Sequence, residues 1–431
     1  MLKSNCVFLV FDMKQLLYIL TFFLFSNSLW ASFIYVPMSN ENQKNHLKAY
    51  GIVYYALQNG LKAKWLLNYD GGAFLIENNE SVEKECKIRG VSYQIISDAK
   101  SALILEEISS PSKNQEAVTL EKAPKIAVYS PKDKMPWDDA VTMVLTYAEI
   151  PFDVVYDEEV LNDKLLLYEW LHLHHEDFTG QYGRFYGAFR TAPWYIQQKK
   201  DAETLATKLG YAKVSEEKGA VAKKIRDYVI GGGFMFAMCS ATDSFDIALA
   251  ADGVDICEGM FDGDASEPNY QSKIDFNKTF AFKDFELIRN PTTYEFSTID
   301  MTRKRRINKE VDYFTLKEFS AKWDQVPTML TQNHTMLVKG FMGQTTSFDP
   351  NTIKSTIVVL GENKSNREGR YIHGTKGKGM FTFYGGHDPE DYQHRVGDPK
   401  TELDLHPTSP GYRLILNNVL FPAAKKKKQK T

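Results

Sequence analysis

Apolar residues recur along the chain with two different periods, and together they predict an α/β protein. Phe33–Met38 reads as a strand, Lys44–Gln58 as an amphipathic helix, and Lys62–Tyr69 as a second strand closed by Gly71-Gly72. A helical pattern over Val82–Gly90 leads into the strand-like Ser92–Asp98, completing a small α/β N-terminal unit over residues 32–110. The polar run Ser109–Pro124 predicts a linker centred on 111–124.

Beyond it the alternation is strong: strand Lys125–Pro131, helix Trp137–Ile150, strand Phe152–Asp157 and strand Glu169–His175. A helix with Val221, Ile225, Tyr228 and Val229 on one stripe ends at Gly231–Gly233 and feeds the wholly apolar strand Phe234–Met238. Strand–helix–strand at this spacing requires a parallel sheet, and an all-apolar strand belongs at its centre. Residues from about 251 to 350 break the pattern and predict an inserted α+β segment. Regular alternation returns at Ser355–Asn363, and the strand Gly379–Gly386 with the helix Gly411–Phe421 completes a main domain over 125–424.

With 431 residues, 43% hydrophobic and 25% charged, the chain has the composition of a folded protein. A net charge of −3 argues against a nucleic-acid partner, and the basic run 425–431 reads as a solvated tail. Leu16–Trp30 is apolar, follows Lys14 and precedes Ala31-Ser32, the pattern of a signal peptide over 1–31 with a start at Met13. No other run of 18 apolar residues occurs, so the expectation is an exported protein, periplasmic or secreted, with no stable membrane anchor. Past residue 31 the cysteines are Cys86, Cys239 and Cys257, an odd number that leaves a thiol to test as a nucleophile. No C-x-x-C pair points to a structural zinc site.

Three features carry chemistry. Cys239 ends the strand "FMFAM" and opens the helix "CSATDSFDIALAA", a strand-to-helix turn where a nucleophile is exposed and the Ser240 N–H can hold an oxyanion. His387 follows another sheet strand, with Asp388, Glu390 and Asp391 close behind; it would take the thiol proton while Asp388 or Glu390 orients it. The third feature is "HLHHEDF", residues 172–178. Period two puts His172 and His174 on one face, with His175, Glu176 and Asp177 at the strand end, beside Cys239. These groups would bind substrate, or His172, His174 and Asp177 would hold a divalent metal such as zinc. Gln344, in "GFMGQTT", has no role legible from the sequence.

A Cys at the elbow after "GGGFMF" and a late strand leading into His-Asp-Pro-Glu resemble the class I glutamine amidotransferase-like superfamily. The order "GKG", apolar strand, "GHDPE" is similar to its trehalose-utilisation-like branch. The resemblance covers Lys125–Ala250 and Ser355–Phe421 and implies a flavodoxin-like parallel sheet, with Cys239 as nucleophile and His387 as base. It differs in "AMCSA", which lacks the elbow glycines, and in "HHEDFTGQYG", where Gly180 or Gly183 would serve the oxyanion. The whole chain also resembles exported proteins that carry the label asparagine synthetase B. The nearest string to a pyrophosphate loop, "CSATDS", lacks the glycines that phosphates require, so the motifs do not support that label.

The expectation is a cysteine-dependent amide hydrolase acting on a small-molecule, peptide or saccharide substrate without a cofactor. The alternatives are a metal-dependent hydrolase, a non-catalytic saccharide- or peptide-binding protein on the same fold, and an amidotransferase linked to asparagine synthesis. The sequence does not fix the oligomeric state.

Overall fold

The computed structural model of the protein describes residues 32–131, 138–393 and 395–425. The signal-peptide reading, Trp137 of the expected helix and the tail beyond Lys425 lie outside the described residues. Among them no helix is long and apolar enough to cross a membrane.

The strands are β1 Ser32–Val36, β2 Ala63–Leu67, β3 Phe74–Glu77, β4 Gln94–Ser97, β5 Glu116–Leu120, β6 Ile126–Tyr129, β7 Asp153–Val155, β8 Trp170–Leu173, β9 Phe234–Met238, β10 Tyr313–Leu316, β11 Leu337–Lys339, β12 Val358–Asn363, β13 Glu368–Lys376 and β14 Gly379–Tyr384. They form two sheets, and the protein is of mixed α/β class with parallel and antiparallel pairing. The first sheet is antiparallel, in the order β4-β1-β3-β2-β5.

The expected linker is in part a strand. β5 pairs with β2 along its whole length, Val118 facing Trp65, because "EAVTL" alternates inward and outward residues despite its polar flanks.

The second sheet has nine strands, β11-β10-β12-β13-β14-β9-β8-β6-β7. The five from β14 to β7 are parallel and the rest antiparallel. β9 lies centrally, between β8 and β14, as its unbroken apolar run requires. The segment read as an insertion is not a separate lobe at its end: β10 and β11 extend the main sheet. The helix Pro193–Lys208 has no counterpart in the sequence reading, because Tyr195 and Ala206 are its only buried residues and leave no apolar stripe to see.

Each face of this sheet has its own core. Phe234, Phe236 and Met238 of β9 join the cluster under the helices His46–Gln58, Ala140–Tyr147 and Pro410–Leu420. Met235 and Ala237 join the cluster under Val214–Gly231 and Ala241–Ala250. Period-two alternation thus fixes which face each side chain past a strand end will meet. The N-terminal unit is bound to the first face by a buried arginine, Arg413, which donates to the carbonyls of Met38 and Gly71 and to the Tyr50 hydroxyl.

Candidate functional site

Three adjacent parallel strands end side by side, and each is followed at once by a residue the sequence singles out. His174 follows β8, Cys239 follows β9, and Gly386-His387 lies just past β14. Backbone hydrogen bonds lace these ends together: Cys239 N–H donates to Gly386 O (3.2 Å) and Ala241 N–H to His174 O (2.9 Å). Cys239 sits at φ +53°, in the left-handed region that non-glycine residues avoid at a cost of about 1–3 kcal/mol. The sharp elbow therefore forms without its usual glycines, held by the strands on either side.

The histidines meet as a chain. His172 and His174 share one face of β8, as period two requires, and both approach one carboxylate. Asp139 Oδ2 lies 3.3 Å from His172 Nε2, and Asp139 Oδ1 lies 3.5 Å from His174 Nδ1. On the far side of the ring, His174 Nε2 lies 3.1 Å from His387 Nδ1. One proton ordering suits them: His174 Nδ1–H beside the Asp139 carboxylate, close but without a hydrogen bond, and His387 Nδ1–H donating to His174 Nε2. It leaves His387 Nε2 as the basic nitrogen.

Asp139 is buried and caps the helix Ala140–Tyr147, accepting from Thr142 N–H. Burial pushes its carboxyl up, but the imidazoles of His172 and His174 outweigh burial and hold it well below the usual carboxylate range. Burial likewise pushes His172 down, and the Asp139 charge opposes that. His172 Nδ1 faces the Phe236 carbonyl at 3.1 Å; a carbonyl only accepts, so Nδ1 carries a proton.

The carboxylates next to His387 in sequence do not orient it. Asp388 accepts from the Tyr412 and Thr401 hydroxyls and from Glu390 N–H, and so fastens the C-terminal helix to this loop. Glu390 pairs with His406 at 3.1 Å. The orienting role passes to Asp139, more than 200 residues away and acting through His174. A cap reading of "WDDAV" would find Asp139 as a helix start. Nothing local marks it as a partner of histidines on β8.

Cys239 has other neighbours. Its side chain is 3% exposed, and burial pushes the thiol up to about 12; the backbone N–H groups of Ser240 and Gln344 act against this, while Asp300 and Asp243 add to it. Both acids are buried and raised by that burial, Asp300 to about 7, and both bind Thr345, whose N–H donates to Asp300 and whose hydroxyl donates to Asp243. The loop that carries Gln344 is thus the roof of the thiol, and the Gln344 amide donates to the Gly183 and Tyr294 carbonyls.

Cys86 and Cys257 are also buried free thiols raised by burial, Cys86 to about 12. Native protein treated with iodoacetamide at pH 7–8 should therefore label slowly at all three positions, against rapid labelling of all three in urea. Peptide mass after timed quenching reads the difference. Fast labelling of Cys239 alone in the native protein would mean that the thiol is activated after all.

A cavity of 570 Å³ opens above the ends of β6, β7 and β8, lined by His175, Glu176, Asp177, Gly180, Tyr182 and Trp194 among others. Its size suits a small-molecule ligand. His175 joins it to the relay, with its ring 5.1 Å from that of His174 and 5.8 Å from that of His387. Burial pushes Glu176 up to about 8, against the pull of Lys218, so at neutral pH it offers a carboxylic acid to the cavity.

Asp177 is spent on the loop itself, accepting from Thr179 N–H, the Thr179 hydroxyl and Gly183 N–H. The sequence-predicted trio His172, His174 and Asp177 is therefore not brought together. Among the described residues two other histidine sets are: Asp139, His172 and His174, and His174, His175 and His387. Gly180 and Gly183, both at positive φ, shape the cavity rim. A larger groove of 870 Å³, lined by Ser39–Glu41 and residues 315–319 and 331–336, holds none of the predicted site residues.

No protein-family profile matches the chain, and no curated protein does. Among solved structures, a cytoplasmic protein of Salmonella typhimurium is 10% identical with a TM-score of 0.33, covering 70% of this chain and 100% of that one. A second cytoplasmic protein, from strain LT2 of that organism, is 12% identical with a TM-score of 0.35 and the same coverages.

Proposed function

We propose that the protein is an exported hydrolase of small polar substrates, built on a flavodoxin-like, glutamine amidotransferase-like sheet, in which His387 is the base that activates water. One observation carries this reading: the buried group Asp139, His174 and His387, with His174 Nε2 3.1 Å from His387 Nδ1, packs against His175, which lines the cavity. Asp139 fixes the tautomer of His174, and His174 fixes that of His387. Glu176 supplies a proton donor at the same strand end. The cavity takes the substrate, an amide, ester or glycoside small enough for its 570 Å³.

The test is a screen of short amides, esters and glycosides, followed by Asp139→Asn on whichever is cleaved. The variant should lose about 10–100-fold in kcat with little change in KM, because an amide cannot stabilise the cation that forms on the relay. Equal activity in the variant would remove the relay from the mechanism.

A second reading keeps Cys239 as nucleophile on an amide carbonyl, and the observation favouring it is the left-handed elbow with the Ser240 and Gln344 N–H groups around the thiol. Its cost is the protonated state of that thiol.

A further inference from the structure

We propose that His174, His175 and His387 form a binding site for one divalent transition-metal ion, of the zinc or cobalt class, at the carboxyl edge of the parallel sheet. One ring nitrogen from each of the three lies within 4.8 Å of the others. The closest pair, His174 Nε2 and His387 Nδ1, is 3.1 Å apart. Two imidazole nitrogens bound to one tetrahedral ion at about 2.1 Å each would be about 3.4 Å apart, so this pair needs almost no movement to become a ligand pair.

The second shell is already built. A ligating histidine almost always turns its other ring nitrogen to a carboxylate or carbonyl, which fixes the ring and raises its basicity. His174 Nδ1 lies 3.5 Å from the Asp139 carboxylate, within a small ring rotation of that bond, and Asp139 is in turn held by Thr142 N–H. The competing trio, Asp139, His172 and His174, is wholly buried and leaves no open coordination position. His175, by contrast, is half-buried and lines the cavity, so an ion bound there keeps a face for water or substrate. Three imidazoles and one open position make the donor set of a hydrolytic ion, which lowers the pKa of its bound water towards 7.

The inference deepens the hydrolase reading, on which its catalytic meaning rests: with His387 Nδ1 given to the ion, Nε2 keeps the proton and the ion takes over from His387 the activation of water. Its own test reads binding alone. Chelator-treated full-length protein is titrated with Co²⁺ and followed by visible d–d absorption, then by displacement with Zn²⁺. One Co²⁺ per chain is expected, with His175→Ala weakening binding at least 10-fold and His387→Ala abolishing it. His175 is half-buried, so its replacement leaves the fold in place. His406→Ala, at a histidine outside the cluster, should bind like the wild type. Substoichiometric binding, or binding unchanged in both the His175 and His387 variants, overturns the site. Loss of hydrolysis in His387→Ala when the wild type itself binds no Co²⁺ overturns the metal site and leaves the hydrolase reading standing. Stoichiometric binding by a protein that cleaves nothing in the screen supports the site and overturns that reading.

Discussion

Replacing His387 by alanine should lower kcat/KM on the best substrate of the screen about 10²–10⁴-fold, while Cys239→Ser should leave it within about threefold. The asymmetry follows from what faces each group. His387 is the terminus of the Asp139–His174 chain, and its ring lies 5.8 Å from that of His175, which lines the cavity. It is the residue through which a water proton would leave. Cys239 lies under the Gln344–Thr345 loop beside two buried acids, and its thiol, pushed up to about 12, holds its proton at any physiological pH. Serine keeps a small donor on the elbow and loses only the nucleophilic sulfur, so the pair of variants separates base from nucleophile. The reverse result, with Cys239→Ser inactive at unchanged fold, would establish the thiol reading and displace water as the attacking group. Steady-state rates on purified variants, with near-UV circular dichroism to confirm packing, decide between them.

What the sequence reveals of this site depends on how locally each interaction is encoded. The strands β6, β8, β9 and β14 are visible because their apolar runs are short, continuous and bounded by turn residues. The convergence of His174, Cys239 and His387 then follows from one rule, that residues past the ends of neighbouring parallel strands meet. Hydrogen-bond partners do not follow from it. Asp388 and Glu390 adjoin His387 in the chain, yet the turn that carries them aims one at Tyr412 and the other at His406.

Asp139 reaches the histidines only because the helix it caps packs on the face of the sheet that β8 presents with His172 and His174. Adjacency in sequence thus misassigns the carboxylate, and only the layer packing corrects it. The roof of Cys239 is hidden for the same reason. Its groups, Asp300, Gln344 and Thr345, come from a stretch with no periodicity, and they matter through contacts about 45 to 105 residues away along the chain.

Lys218→Met should be among the most destabilising single changes, costing about 3–5 kcal/mol, although a lysine on a helix ordinarily reads as part of a solvated face. Its ammonium is buried and donates to both carboxylate oxygens of Asp157 (2.9 and 2.7 Å), to the Tyr129 hydroxyl (2.9 Å) and to the Tyr156 hydroxyl (3.1 Å). Desolvation opposes the charge, and Asp157 more than offsets it, holding the ammonium well above its ordinary range. Tyr129 ends β6, and Tyr156 and Asp157 follow β7, so this one cation ties the helix Val214–Gly231 to the sheet edge that forms the cavity wall.

Removing it strands the Asp157 carboxylate at 1% exposure with no counter-charge. The double variant Lys218→Met, Asp157→Asn removes both charges together and should regain a large part of the loss, because the penalty lies in the uncompensated ion more than in the missing pair. Urea unfolding of the wild type and the single and double variants at pH 7 measures the cycle. A single-variant cost under about 1 kcal/mol would show that water reaches Asp157 and that the wall is softer than its hydrogen bonds imply. Activity is a second reading of the same change: Lys218 is the group that pulls Glu176 down, so its loss drives the Glu176 carboxyl above about 8. Any rate that uses Glu176 as an acid should then persist to higher pH in Lys218→Met than in the wild type.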